Sequence, residues 1–503
     1  MTPPRNDRTL LPLAAGHRDG GRSAATCLWK CNDACSKPVP NTSDNEYFGD
    51  VVAASRRSVL KAGGAAAALA GLTTAAGTAL AEPAVAAPGP GKTAPFGFTG
   101  IDPVNAGTDE VVVPEGFRWA PIIAWGDPVL AGAPAFDFDH QTAAAQAGQM
   151  GYNCDYVGVL RNGSANQAVL VVNNEYTNNE LMFHGYTDAA SLTDDQVQIT
   201  MNAHGMTVVE MSRKNPNSKW VYTKGAPLNR RITATTPFEL VGPARGSDLV
   251  KTSADPAGTT PLGTFGNCAG GTTPWGTILS GEENFNGYFT QPAAPSDDLA
   301  GEAAARYGLA GGSAAQHNWD RLDDRFDLTK EPNEAHRHGW VIEVDPSDPT
   351  ARPRKLSALG RLKHEGANVV IADDGHVVAY MGDDERFDYM YKFVSKRTYR
   401  ESDRAHNKTL LEEGDLYVAK FTGDGTADGE HDGTGQWLPL VVGGESKVDG
   451  MSVEEVLVTV VADLHYLDKD AFWTVCDHKS WAHPYDADGV RQHFKDIPKS
   501  ISD

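Results

Sequence analysis

The stretch Gly266-Asn267-Cys268-Ala269-Gly270-Gly271-Thr272-Thr273-Pro274-Trp275-Gly276-Thr277-Ile278-Leu279-Ser280-Gly281-Glu282-Glu283-Asn284 holds a cysteine in a glycine-rich turn, a short apolar strand and two adjacent carboxylates. Glycines on both sides of Cys268 let the backbone take positive φ and approach a neighbour closely. Trp275 to Leu279 reads as a strand. Successive residues leaving a strand face opposite ways, so one of Glu282 and Glu283 looks back toward the thiol. Thiolate plus carboxylate on neighbouring loops is a donor set for a transition metal. The same residues also describe a buried cysteine beside a solvated acidic turn.

The 503 residues are 22% charged and 40% hydrophobic, with 66 Asp and Glu against 44 Lys and Arg. Such acidity argues against a nucleic-acid partner and suits a protein that gathers cations. The 52 glycines and 30 prolines favour many turns and therefore many short strands. Strand-like runs are Gln167 to Val172, Gly205 to Met211, Trp220 to Tyr222, Val341 to Val344, Asn368 to Ile371, Val377 to Met381, Met390 to Val394 and Leu416 to Phe421. Asp373-Asp374-Gly375 between two of them reads as a hairpin turn. Helical periodicity is confined to Ala143 to Gln149 and Leu299 to Tyr307. The pattern is all-β, a propeller or a large sandwich, and no repeat of blade length stands out to choose between them.

Near the start, Arg56-Arg57 precedes a weakly apolar run from Ala62 to Leu80, and Ala79-Leu80-Ala81 offers small residues at a cleavage site. Residues 1–81 therefore read as a twin-arginine export signal cleaved after Ala81, which implies the twin-arginine translocation machinery as a partner. The run is too poor in Leu, Ile and Phe for a stable membrane anchor. Cleavage would discard Cys27, Cys31 and Cys35, leaving Cys154, Cys268 and Cys476, which is no disulfide framework. It would also move the net charge from −22 to −25, so the acidity belongs to the mature body. Residues 82–110 read as a flexible lead-in.

Other stretches carry candidate ligands. Asn173-Asn174-Glu175-Tyr176-Thr177 closes a strand with oxygen donors suited to a hard cation, and is equally an ordinary polar loop. Lys363-His364-Glu365-Gly366-Ala367 places a histidine and a carboxylate at the start of a strand. Gly382-Asp383-Asp384-Glu385 ends a strand in three acids that repel one another unless cations or arginines relieve them. His336-Arg337-His338 reads as structural. Asp424 to Gly429 imitates a calcium loop but has Gly435 where the closing Glu should stand, so it is no EF-hand.

Together these stretches resemble the PhoX family of secreted alkaline phosphatases, which carry iron and calcium. The cysteine-to-Glu-Glu run, Asn-x-Glu-Tyr-Thr, His-Glu-Gly-Ala, Gly-Asp-Asp-Glu and the strand Tyr391-Lys392-Phe393-Val394 follow that family in order. The resemblance implies a β-propeller with additional subdomains and a metal centre at one end of its channel. It implies hydrolysis of phosphate monoesters by a monomer that ends in the periplasm, the cell wall or the medium. Cys268, Glu283 and Glu365 would hold iron, with Glu282 the alternate to Glu283. Asp384 and Glu175 would complete the cluster with iron or calcium, and Asn174 would stand beside them. The body is expected to span residues 111–461. The family continues through Met-Asp-Arg-Pro-Glu, which brings a further metal-binding Glu and an Arg that contacts phosphate, whereas no Arg-Pro-Glu follows Val461 here. Residues 462–503 thus read as a divergent tail without family match, and the propeller as incomplete at its C-terminus. Rival readings are a calcium-dependent lactonase-like propeller, which has no use for Cys268, and a secreted calcium-binding propeller without catalysis.

Overall fold

The structure, a computed structural model, describes residues 101, 110–291, 307–309, 315–385, 389–423 and 433–440. Arg56, Arg57, Ala81, residues 82–100 and 102–109 of the lead-in, most of Leu299 to Tyr307, Asp424 to Gly429 and the tail lie outside these residues. Residues 120–440 belong to one compact unit, and residues 110–119 to a second, in which the Phe117 amide donates to the Pro114 carbonyl (3.0 Å). No helix among the described residues is long and apolar enough to cross a membrane.

Fifteen described strands form three five-stranded sheets. Sheet 1 contains β1 (Cys154–Asn162), β2 (Ser164–Asn174), β3 (Gly205–Ser212), β4 (Val221–Tyr222) and β5 (Arg230–Ile232), in the order β1-β2-β3-β4 with β5 also on β3. Sheet 2 contains β6 (Glu239–Val241), β7 (Asn267–Thr272), β8 (Ile278–Glu282), β9 (Val341–Val344) and β10 (Arg354–Leu356), in the order β6-β10-β9-β8-β7. Sheet 3 is the meander β11 (His364–Ile371), β12 (His376–Asp383), β13 (Met390–Thr398), β14 (Gly414–Gly423) and β15 (Gly433–Leu440). Pairing is antiparallel apart from β6 on β10. Among the described residues sheet predominates over helix, in line with an all-β reading.

Strand alternation explains how the sheets stack. In β8, Ile278 joins Val169, Val171, Met206 and Val208 of sheet 1 in one apolar cluster, while its neighbour Leu279 joins Ala367, Ala379 and Phe393 of sheet 3 in another. Sheet 2 is thus buried on both faces, and so are its two-sided apolar strands β8 and β9. The far face of sheet 1 (Ala168, Leu170, Val172, Val209) is covered by Val129 and Met150. The strands β1, β7 and β11 each lie at a sheet edge.

Two sequence expectations change here. Cys268 lies within a strand, β7, and the following strand is Ile278–Glu282, displaced from Trp275 to Leu279. The glycines beside the thiol serve close approach: a Cβ on Gly271 would meet the Ala367 carbonyl oxygen at 2.0 Å, and one on Gly281 the His364 oxygen at 2.2 Å. The longest described helix, Asp194–Ala203, was not expected. It starts at a capping box in which Thr193 and Gln196 exchange side-chain and backbone hydrogen bonds.

Candidate metal centre

The three edge strands reach the site by one repeated device. The first residue of each edge strand pairs with the last residue of the next strand: Cys154 with Asn174, Asn267 with Glu282, His364 with Asp383. Immediately afterwards each ladder loses register. Such breaks re-aim a side chain, and the residues that stand in them are Asp155, Cys268 and Glu365. The residue after the second strand is an acid each time, Glu175, Glu283 and Asp384. Its amide donates to the residue just before the edge strand: Glu175 to Asn153 (3.1 Å), Glu283 to Gly266 (2.8 Å), Asp384 to Lys363 (3.1 Å).

These positions converge. Ligand atoms of Cys268, Glu283 and Glu365 lie within 4.8 Å of one another, and so do those of Asp155, Glu175 and Cys268. The thiol joins the two groups, with Sγ 3.8 Å from Asp155 Oδ2. Asp384 lies against the Glu283 carboxylate. Burial pushes the Cys268 thiol up, and Glu283, Glu175 and Asp155 push it further. Burial likewise holds Glu283 well above the usual carboxylate range, with Asp384 and Glu175 adding to it. Glu283 Oε2 is buried and lacks a hydrogen-bond partner among the described residues. Acids crowded in this way stay ionised only if a cation neutralises them. A soft thiolate among hard carboxylates suits iron with a harder ion beside it, so the donor set fits the expected metals.

Glu282 is not an alternate for Glu283. Its carboxylate turns into the core, where it meets Lys355 Nζ at 2.6 Å and accepts from the Gly339 and Trp340 amides. Asn174, the residue before Glu175, has its Oδ1 engaged by Thr207 Oγ1 (2.7 Å) and Arg231 Nη1 (2.8 Å), which donate to it. His338 is fully buried within the Lys355–Glu282 network, 3.0 Å from Lys355 Nζ, and His336 binds the Leu249 carbonyl, as structural residues do. His364 is buried on the Gly360 carbonyl (2.8 Å). Asp155 was missed by the sequence reading. A lone acid after Asn153-Cys154 carries no motif, and only its place at the ladder break marks it.

The family model described as alkaline phosphatase PhoX matches residues 96–466. The chain belongs to that family. A solved structure described as Pseudomonas fluorescens PhoX in complex with vanadate, a transition state analogue, is 40% identical with a TM-score of 0.64, over 70% of this chain and 60% of that one. The chain therefore spans about 60% of the length of this PhoX relative. A second family model, "Putative ParB-like nuclease", matches residues 430–503, overlapping the end of the PhoX match. No curated protein matches the chain.

Proposed function

We propose that this chain is an exported phosphatase that hydrolyses phosphate monoesters at an iron and calcium cluster. The observation that carries the reading is the convergence of Cys268 with Glu283, Glu365, Glu175 and Asp155 at the matched ends of three sheets. Membership of the PhoX family supports it, as does the PhoX relative described with vanadate, a transition state analogue. Cys268, Glu283 and Glu365 would hold iron, and Glu175, Asp384 and Asp155 would complete the shell with iron or calcium. When bound, the metals supply Lewis acidity and neutralise charge on the phosphoryl oxygens. The protein's share is to hold six donors from three sheets in one place, with Cys268, Glu175 and Glu283 among them buried. Asp-Ser-Ala, the nucleophile motif of zinc-and-serine alkaline phosphatases, does not occur in the chain.

The same reading takes the three sheets as consecutive blades of a propeller, with residues 111–461 as its body. Export through the twin-arginine signal at Arg56 and Arg57, cleavage after Ala81 and a monomeric product outside the cytoplasm complete it.

The test is turnover of para-nitrophenyl phosphate by the purified mature chain, with iron and calcium measured on the same sample. Cys268→Ala is expected to lose both iron and activity. Retention of both by that variant would overturn the reading, and metal bound without turnover by the wild type would favour a binding protein.

A further inference from the structure

Cys268 stands where the β7 ladder is broken. Pairing with β8 runs through Asn267↔Glu282 and continues from Gly270↔Ser280, and Cys268 stands in the register shift between them. A buried carbonyl needs a hydrogen-bond donor. That donor comes from the neighbouring sheet: Asn173 of β2, wholly buried, gives its Nδ2 to the Cys268 carbonyl and to Ser280 Oγ (2.9 Å). Asn267 also donates to Ser280 Oγ (3.1 Å), so that hydroxyl joins two amides from two sheets. Glu175 follows two residues after Asn173, just past the end of β2.

We propose that Asn173 is a positioning residue for the metal centre. By binding the Cys268 carbonyl at the register shift, it fixes the backbone of Cys268 and so aims Sγ at the carboxylates of both groups. Asn173 carries this role across the sheet boundary, and it locks Cys268 to the strand that delivers Glu175. Its neighbour Asn174, engaged with Arg231 and Thr207, has no such link. Partners that orient a metal ligand from behind are commonly worth about ten- to a hundredfold in metal affinity.

The inference rests on Cys268 being a metal ligand, and its test separates the two ideas. The full chain, stripped of metal, is titrated with cobalt(II) chloride while the thiolate-to-cobalt charge-transfer absorption is followed. Asn173→Leu keeps the volume and removes the donor; it is expected to bind cobalt about tenfold more weakly or worse, with the band shifted or lost. Ser280→Ala loosens the same buried junction but keeps the Asn173 link to Cys268, and is expected to retain the band and nearly wild-type affinity. Wild-type affinity and band in a folded Asn173→Leu chain would overturn the proposal, as would equal weakening in Ser280→Ala. Should Asn173→Leu not fold, Asn173→Ala is read against the same two outcomes. If the wild type itself shows no thiolate band, the metal reading fails. Iodoacetamide labelling of Cys268 in the metal-free chain then decides for Asn173: faster labelling in the variant supports its positioning role, and an unchanged rate removes it.

Discussion

Lys355 Nζ and Glu282 Oε1 meet at 2.6 Å with neither side chain exposed to solvent. This buried pair sits one residue from Glu283, and the two adjacent glutamates therefore divide their work. Glu282 anchors the end of β8 in the core while Glu283 faces the thiol.

Removing one member of the pair strands the other. Lys355→Met is expected to destabilise the fold by about 3–5 kcal/mol, because the Glu282 carboxylate would be left buried without its counter-charge. Adding Glu282→Leu to that variant should recover a large part of the loss. Urea unfolding of the two variants beside the wild type measures both effects.

Asp155 should prove as necessary as the residues that the motifs disclose. Asp155→Asn keeps the size of the side chain and removes the charge beside Cys268 Sγ, so metal content and phosphatase turnover should both fall about tenfold or more. Cys154→Ser, one residue earlier and exposed, should leave both unchanged. Metal analysis and para-nitrophenyl phosphate assays of the two variants decide it.

Gly281→Ala introduces a Cβ that would meet the His364 carbonyl oxygen at 2.2 Å. Backbone cannot yield as a flexible side chain does, so β11 must move away from β8 and carry Glu365 with it. The expected outcome is a loss of several kcal/mol, on the order of 3 or more, together with lower metal content. Thermal unfolding and metal analysis of the variant give the two readings.

Acid should weaken the fold through His204. The ring is wholly buried, bound to the Thr200 carbonyl at 2.6 Å, and burial lowers its pKa from 6.5 to about 4. The unfolded chain takes up the proton first, so this group's stabilising contribution is full above pH 6.5. It is lost as the pH falls toward about 4, at up to about 1.4 kcal/mol per pH unit. Urea midpoints across that window should fall less steeply in His204→Gln than in the wild type.

Much of the framework was legible. β2, β3, β9, β12 and β13 are β-branched and apolar enough to read as strands from composition alone. The helix Asp194–Ala203 escaped notice, although Thr193 and Gln196 spell a capping box, because its amphipathic pattern is weak. Of the glycines around Cys268, Gly266 takes the positive φ and Gly271 the close approach that the sequence suggests, but the thiol itself lies in a strand and not in a turn. In the Asn-x-Glu-Tyr-Thr segment, strand alternation decides between adjacent asparagines, and the residue that reaches Cys268 is Asn173. The repeat that builds the site left no sequence signal, since its three edge-strand positions carry Asp, Cys and Glu and share only backbone geometry.

Residue order alone is enough for the donor types, the strands that end in acids and the family to which the chain belongs, because these are local properties. That Asp155, Cys268 and Glu365 share one site while Glu282 turns away follows from the folded arrangement. Those residues lie far apart along the chain, and what brings them together is the stacking of three sheets through apolar clusters, at a spacing that Gly271 and Gly281 permit.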